Sequence, residues 1–275
     1  MKALVTGACG FVGGYLTDHL VKSGDDVFGT VLREDPRFNF KSKYVDIQNM
    51  ESVYSVISSF RPEVVYHLAG MAFVPEAENN FEIALRVNVL GTHNVFQACH
   101  LIGGIKVVYI SSAEVYGKVL ELDLPITEKT QINPANNYSL SKAMAELSAE
   151  RYSQFGRVSS VIVRPFNHLG PGQNDRFVAA SFARQLAKIA HKKQPAVISV
   201  GNLEAKRDFS DVRDIVKGYR LAALKGTGIY NFGSGTYTSV QNILDSLIKI
   251  SGCSVTIAED AARMRPSEVK IVYVS

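Results

Sequence analysis

The chain has 275 residues, 46% hydrophobic and 20% charged, enough for one large α/β domain or that domain with a smaller satellite. Its net charge of +4 comes from interspersed signs without a long basic run, which argues against a nucleic-acid partner. Cys9, Cys99 and Cys253 are far apart without metal-ligand spacing and read as reduced thiols with no metal site. No apolar run reaches the roughly 18 residues of a membrane span, and the chain enters a strand with no charged leader, so the expectation is a cytoplasmic protein with no membrane partner.

In chain order, short β-branched runs at 2–5, 26–30, 43–45, 64–68, 106–110 and 160–163 read as strands. Helical patterns at 11–23, 50–60, 80–101 and 138–155 fall between or beside them. Apolar strands alternating with helices predict a Rossmann-type doubly wound parallel sheet, covered on both faces. Beyond Pro165 the rhythm loosens around Gly170-Pro171-Gly172 and Lys192-Lys193-Gln194-Pro195. The expected organisation is therefore a nucleotide-binding domain at 1–165 and a smaller α/β substrate region at 166–275. The two interleave, since a helix at 212–224 can return to the main sheet.

Thr6-Gly7-Ala8-Cys9-Gly10-Phe11-Val12-Gly13 directly follows the first strand. Gly7 permits a tight strand-to-helix turn, Gly10 lets the backbone approach a pyrophosphate, and Gly13 allows close packing of helix on strand. The helix start supplies free N–H groups and partial positive charge, so a dinucleotide is the expected cofactor. After the second strand no acid stands at the tip. Arg33 can meet the 2′-phosphate of NADP or be a solvated arginine with NAD bound instead. Asp46, after the third strand, can accept from an adenine amino group or cap the next segment.

Tyr138 and Lys142 are four residues apart and share a helix face. A free tyrosine titrates near ~10, so the expectation is that a nearby ammonium lowers Tyr138 into a useful acid–base range. Ser112, at the end of the strand before, can hold the same substrate oxygen. Glu114 can take a proton from carbon beside a carbonyl, or serve as a hydrogen-bonded loop acid.

With these motifs, and with His67-Leu68-Ala69-Gly70 and Asn88-Val89-Leu90-Gly91-Thr92, the chain resembles the extended short-chain dehydrogenase/reductase family, in its nucleotide-sugar branch. The resemblance implies NAD(P)(H) bound by Gly7, Gly10, Phe11, Val12, Gly13, Arg33, Asp46, Ile47, Leu68, Ala69, Gly70, Asn88, Tyr138 and Lys142. It also implies a homodimer built on helices matching 80–101 and 138–155. The stretch from Arg164 to Gln173 looks like the loop of enzymes acting on GDP-mannose derivatives, and that from Gly201 to Asp214 is similar to GDP-4-keto-6-deoxymannose reductases. By that likeness Asn167, Arg207, Arg265 and Glu268 would bind a GDP-sugar; Arg207 could instead pair with Asp208 or Asp211. His168 reads as structural.

The implied reaction is NAD(P)H-dependent reduction of the C4 ketone of GDP-4-keto-6-deoxy-D-mannose to GDP-D-rhamnose. Ser112, Tyr138 and Lys142 would be catalytic, with Glu114 as base if the reaction were instead that of a 4,6-dehydratase or epimerase. Ala113 stands where dTDP-glucose dehydratases carry an aspartate. A non-catalytic nucleotide-binding regulator is the remaining alternative. The chain ends at Tyr273-Val274-Ser275 where relatives continue, so truncation or a rebuilt terminus is also expected.

Overall fold

The computed structural model describes residues 1–33, 35, 40–264 and 271–275. Six strands of the central sheet are β1 (Lys2–Thr6), β2 (Asp26–Val31), β3 (Lys41–Tyr44), β4 (Val64–His67), β5 (Ile105–Ile110) and β6 (Val158–Pro165); a seventh is Gly228–Phe232. Their spatial order is Gly228–Phe232, β6, β5, β4, β1, β2, β3, and each neighbouring pair is parallel. This is the doubly wound Rossmann-type sheet expected from the alternating pattern. Its order reverses between β1 and β4, so the carboxyl ends of those two strands flank the crevice where such sheets take ligands.

Alternation along the strands sorts the core onto two faces. Leu4 of β1, Val65 of β4 and Val107 and Tyr109 of β5 pack with Val53, Val56 and Ile57 of α2 (Met50–Phe60). The same face takes Val95 and Phe96 from the helix Gly91–Ile102, and Ala145 and Ala149 from Asn137–Gln154. Ala3, Val5, Tyr66 and Val108, one residue out of phase, face the other side. There they meet Leu16 and Leu20 of α1 (Phe11–Lys22) and Ile215, Val216 and Tyr219 of the helix Val212–Lys225. Each fully buried aliphatic side chain contributes about 1.5–3 kcal/mol relative to exposure, which is why a period of two so firmly sets the register.

The helix expected at 80–101 is broken. The chain forms α3 (Val74–Asn79), α4 (Phe81–Ala84), a π turn at Leu85–Leu90 and only then α5 (Gly91–Ile102). From the first turn of α5 the Thr92 hydroxyl donates to the Asn88 carbonyl of the π turn at 2.5 Å. The Asn88 amide turns inward, and the widened turn accommodates both. The last helix of this group, α6 (Asn137–Gln154), begins one residue ahead of Tyr138.

Contacts group the chain into two units. The first comprises Met1–Lys118, Glu128–Pro165 and Val212–Phe232; the second comprises Val119–Thr127, Phe166–Asp211 and Gly233–Ser275. The chain thus crosses between units at 165/166 and again elsewhere, and the helix Val212–Lys225 with the strand after it belongs to the first unit. In the second, amphipathic helices Val178–Ala190 and Val240–Ser251 bury Phe182, Leu186, Val240 and Leu244 with Ile198 and Val200 of the strand Val197–Val200. Shorter ladders join Asn167–Leu169 to Phe209–Asp211, and Lys206–Arg207 to Thr238–Ser239 and Ile271–Val272. Among the described residues, no helix is long and apolar enough to cross a membrane.

Candidate active site

β1 ends at Thr6, and Gly7 turns the chain with φ of +70°, a conformation that L side chains rarely adopt. The turn closes when the Gly10 N–H donates to the Gly7 carbonyl at 2.9 Å. A Cβ on Gly13 would lie 2.2 Å from that same carbonyl, and one on Gly7 would meet Ala69 at 3.0 Å. Backbone therefore packs on backbone at both positions. Helix α1 starts with Gly10 at its N-cap, no side-chain cap and no acid in its first turn. Such a start offers N–H groups and the positive end of the helix dipole to an anion, so the loop fits the pyrophosphate of a dinucleotide. Phe11 and Val12 are the first residues of that turn and are half-buried.

The facing loop, after β4, is fastened from below. The Ala69 N–H donates to Thr6 Oγ1 at 3.1 Å, and Thr6 Oγ1 and Thr92 Oγ1 lie 2.8 and 3.0 Å from the two ring nitrogens of His67. His67 is buried, and burial, with the nearby Lys142 charge adding, lowers it to about 3, so its ring stays neutral. Leu68 and Ala69 are half-buried and Gly70 is exposed at the loop tip. Asn88 is buried between this loop and α6. Its amide donates to the Met71 carbonyl (3.1 Å) and Ser141 Oγ (2.9 Å) and accepts from the Met71 N–H (2.7 Å), so it ties this loop to α6.

Helix α6 begins with a complete capping box: Asn136 Oδ1 accepts from the Ser139 N–H, and Ser139 Oγ accepts from the Asn136 N–H. That cap fixes the turn presenting Tyr138. Tyr138 is buried, with the Ser112 hydroxyl close enough to act on its phenol. Burial pushes its phenol up to about 12; the Ser112 hydroxyl draws it back and the charge of Glu114 raises it further. The expected depression by Lys142 is corrected here. The Lys142 ammonium donates to the Ile110 carbonyl at 2.5 Å and sits 4.7 Å over the Tyr109 ring, and burial lowers it to about 8. In this state Tyr138 is a neutral phenol, the form that donates a proton. Glu114 lies exposed on the short turn after Ser112, held by Asn136 Nδ2 at 3.4 Å.

The remaining expected residues are more scattered. Arg33 is exposed just beyond β2. Asp46 Oδ1 accepts from the Gln48 backbone N–H at 2.9 Å in the turn ahead of α2, whose cap is Asn49, while Ile47 is buried beneath Gly91. In the second unit Asn167 is exposed on its short strand, and the Arg207 guanidinium donates to the Lys206 carbonyl at 2.9 Å. Asp208, considered as an ion-pair partner of Arg207, instead accepts from the Ser234 N–H and hydroxyl and the Gly235 N–H. His168 donates through Nδ1 to the Phe166 carbonyl at 3.1 Å. Arg265 and Glu268 lie outside the described residues. Among the described residues no cluster of His, Cys, Asp and Glu could hold a metal ion.

Two buried charges were missed from sequence. Glu146 follows Lys142 by one turn of α6 and pairs with Arg164 on β6. A guanidinium in an otherwise apolar strand, and an acid on the Tyr/Lys face of a helix, were the available signals.

The uncapped glycine turn at the sheet's switch point, with a buried Tyr–Ser–Lys group in the same unit, defines a dinucleotide-binding fold equipped for proton transfer. Residues 4–274 match the model of the GDP-mannose 4,6 dehydratase family, to which the chain belongs. It is 35% identical to the GDP-6-deoxy-D-mannose reductase of Pseudomonas aeruginosa, over 98% of this chain and 87% of that protein. It is 33% identical to the GDP-6-deoxy-D-talose 4-dehydrogenase of Aggregatibacter actinomycetemcomitans, over 98% of this chain and 86% of that protein. Among solved structures it is similar to RMD from Pseudomonas aeruginosa complexed with NADPH, with a TM-score of 0.87 and 32% identity, covering 100% of this chain and 90% of that one.

Proposed function

We propose that this protein uses NAD(P)H to reduce the C4 ketone of GDP-4-keto-6-deoxy-D-mannose to the alcohol of GDP-D-rhamnose. The observation that carries the reading is the buried, neutral Tyr138 phenol with Ser112 beside it, in a chain similar throughout its length to a GDP-6-deoxy-D-mannose reductase. A bound reduced nicotinamide supplies the hydride that C4 receives. Tyr138 gives its proton to the oxygen that becomes O4, and Ser112 orients that oxygen. Lys142, held on the Ile110 carbonyl, reaches the cofactor ribose. The glycine turn at Gly7, Gly10 and Gly13 takes the pyrophosphate, Arg33 meets a 2′-phosphate, and Asn167, Arg207, Arg265 and Glu268 contact the GDP-sugar.

The exposed apolar stripe Leu140, Met144 and Leu147 on α6, with Leu90 and Leu101 along α5 and the turn before it, supports a homodimer joined through these helices. A cytoplasmic location accords with three free cysteines.

The test is to mix the protein with freshly made GDP-4-keto-6-deoxy-D-mannose and NADPH, then NADH, and follow the reduced-nicotinamide absorbance. Loss equal to the sugar added, with GDP-D-rhamnose as product, is the expected result. Conversion of GDP-mannose to the keto-sugar without net loss of NAD(P)H would replace this reading with a dehydratase, in which Glu114, beside Tyr138, is the base.

A further inference from the structure

We infer that the buried Glu146–Arg164 pair is a positioning device for Ser112, Tyr138 and Lys142, holding three separate chain segments in one geometry. The inference rests on the reading above that Tyr138 and Lys142 carry the proton transfer. Both charged side chains are almost wholly buried, at 2% and 3% exposed, so their hydrogen bonds decide whether the arrangement is tolerated at all. Arg164 Nε donates to Glu146 Oε1 at 2.9 Å and Nη2 donates to Oε2 at 2.5 Å. The Ser111 hydroxyl donates to the same Oε1. Arg164 Nη1 donates to the Tyr116 hydroxyl at 2.9 Å, and that hydroxyl donates to Asn231 Oδ1 at 2.8 Å.

Each partner stands next to a group in the proposed reaction. Glu146 is one helical turn after Lys142 and two after Tyr138. Ser111 immediately precedes Ser112 just beyond the end of β5, so tying the Ser111 hydroxyl to Glu146 on α6 fixes the stretch of backbone that presents Ser112. Tyr116 closes the short turn Ala113–Tyr116, which carries Glu114. One carboxylate and one guanidinium therefore connect α6, the end of β5 and that turn, all within the first unit.

A buried ion pair is weak evidence for stability, because apolar side chains of similar volume often serve the fold as well. What an apolar pair lacks is direction. A bidentate pair fixes the angle of both groups, and its charge acts on its neighbours. The groups facing Lys142 are His67 on β4, which is neutral, and the Tyr109 ring and Ile110 carbonyl on β5, while Tyr138 stands one turn before it on α6. Against the burial that lowers Lys142, the charge of Glu146 acts to keep it an ammonium.

Three variants test this: Glu146→Gln, Ser111→Ala and the double variant Glu146→Leu with Arg164→Met. Turnover of the keto-sugar is measured against pH. In parallel, carbon-13 NMR of lysine-labelled, cofactor-free protein follows Lys142, assigned by the signal lost in Lys142→Met. In Glu146→Gln we expect kcat to fall roughly 100-fold with KM little changed, since small misplacements at a reacting centre act on kcat. Its alkaline activity limb and the Lys142 titration should both move to lower pH, by about one unit. Ser111→Ala should lose about tenfold in kcat alone. The double variant should melt near the wild type and still show the kcat deficit. If it regains wild-type kcat, or if Lys142 titrates unchanged in Glu146→Gln, the pair serves only the fold and the inference fails. Should Glu146→Gln not fold, the double variant and Ser111→Ala decide by the same kcat comparison. The NMR titration needs no substrate, so an inactive wild type with a shifted Lys142 would count against the proposed reaction and leave this inference standing.

Discussion

The starts of α1 and α6 solve opposite problems. α1 begins with Gly10, has no side-chain cap and carries no acid in its first turn. α6 begins with the reciprocal Asn136–Ser139 capping box. An uncapped helix forgoes about 1 kcal/mol, and leaves its N–H groups and positive dipole end to whatever anion arrives. A capped start satisfies those donors internally and holds the next side chain still. Binding is thus left open at one helix and geometry is locked at the other, where Tyr138 follows the cap by two residues.

The largest expected effect separates the two roles. Tyr138→Phe removes the proton donor, and kcat should fall by roughly 10³-fold or more while NADPH affinity, measured by fluorescence quenching, stays within about twofold. A variant with near wild-type turnover would sink the role given to Tyr138. At the other helix, Gly13→Ala places a methyl 2.2 Å from the Gly7 carbonyl. NADPH affinity should drop by about 100-fold, and the melting temperature should fall with a cost of roughly 1–3 kcal/mol for the forced backbone shift. Unchanged affinity in titration calorimetry would mean that the turn is not where the cofactor sits.

His67 sharpens the comparison because it fastens the loop facing the glycine turn. Its folded value, about 3, is below the ordinary 6.5. As pH falls through that window the unfolded chain takes a proton that the folded one refuses, so stability is lost from 6.5 downward. His67→Gln should flatten the acid side of the stability curve by about 1.4 kcal/mol per pH unit, read from urea unfolding between about pH 4 and 7. A slope identical to the wild type would assign acid sensitivity elsewhere. The smallest effect is Asn136→Ala. Loss of the cap should destabilise by about 1 kcal/mol and lower kcat several-fold without changing NADPH affinity. An equal loss of both would erase the distinction between the two helix starts.

Much of this was legible because its causes are local. The glycine spacing, the strand before it and the period-two apolar runs forecast the sheet and the turn, since φ sign and face alternation act over a few residues. The Tyr138/Lys142 spacing likewise put both on one face of a helix. Asn88 was visible as a motif residue, yet its hydrogen bonds to Met71 and Ser141 span 17 and 53 positions and have no local signature.

By itself, then, the sequence determined the parallel sheet, the tight glycine turn and the placing of Tyr138 and Lys142 on one helix face, because backbone conformation and face periodicity are short-range. Tertiary structure alone decided the ionisation of those two side chains and what fastens their helix. Burial drives Tyr138 up and Lys142 down, and Glu146 meets an arginine 18 positions away. Desolvation and charge act through space, so neither could be read from neighbours along the chain.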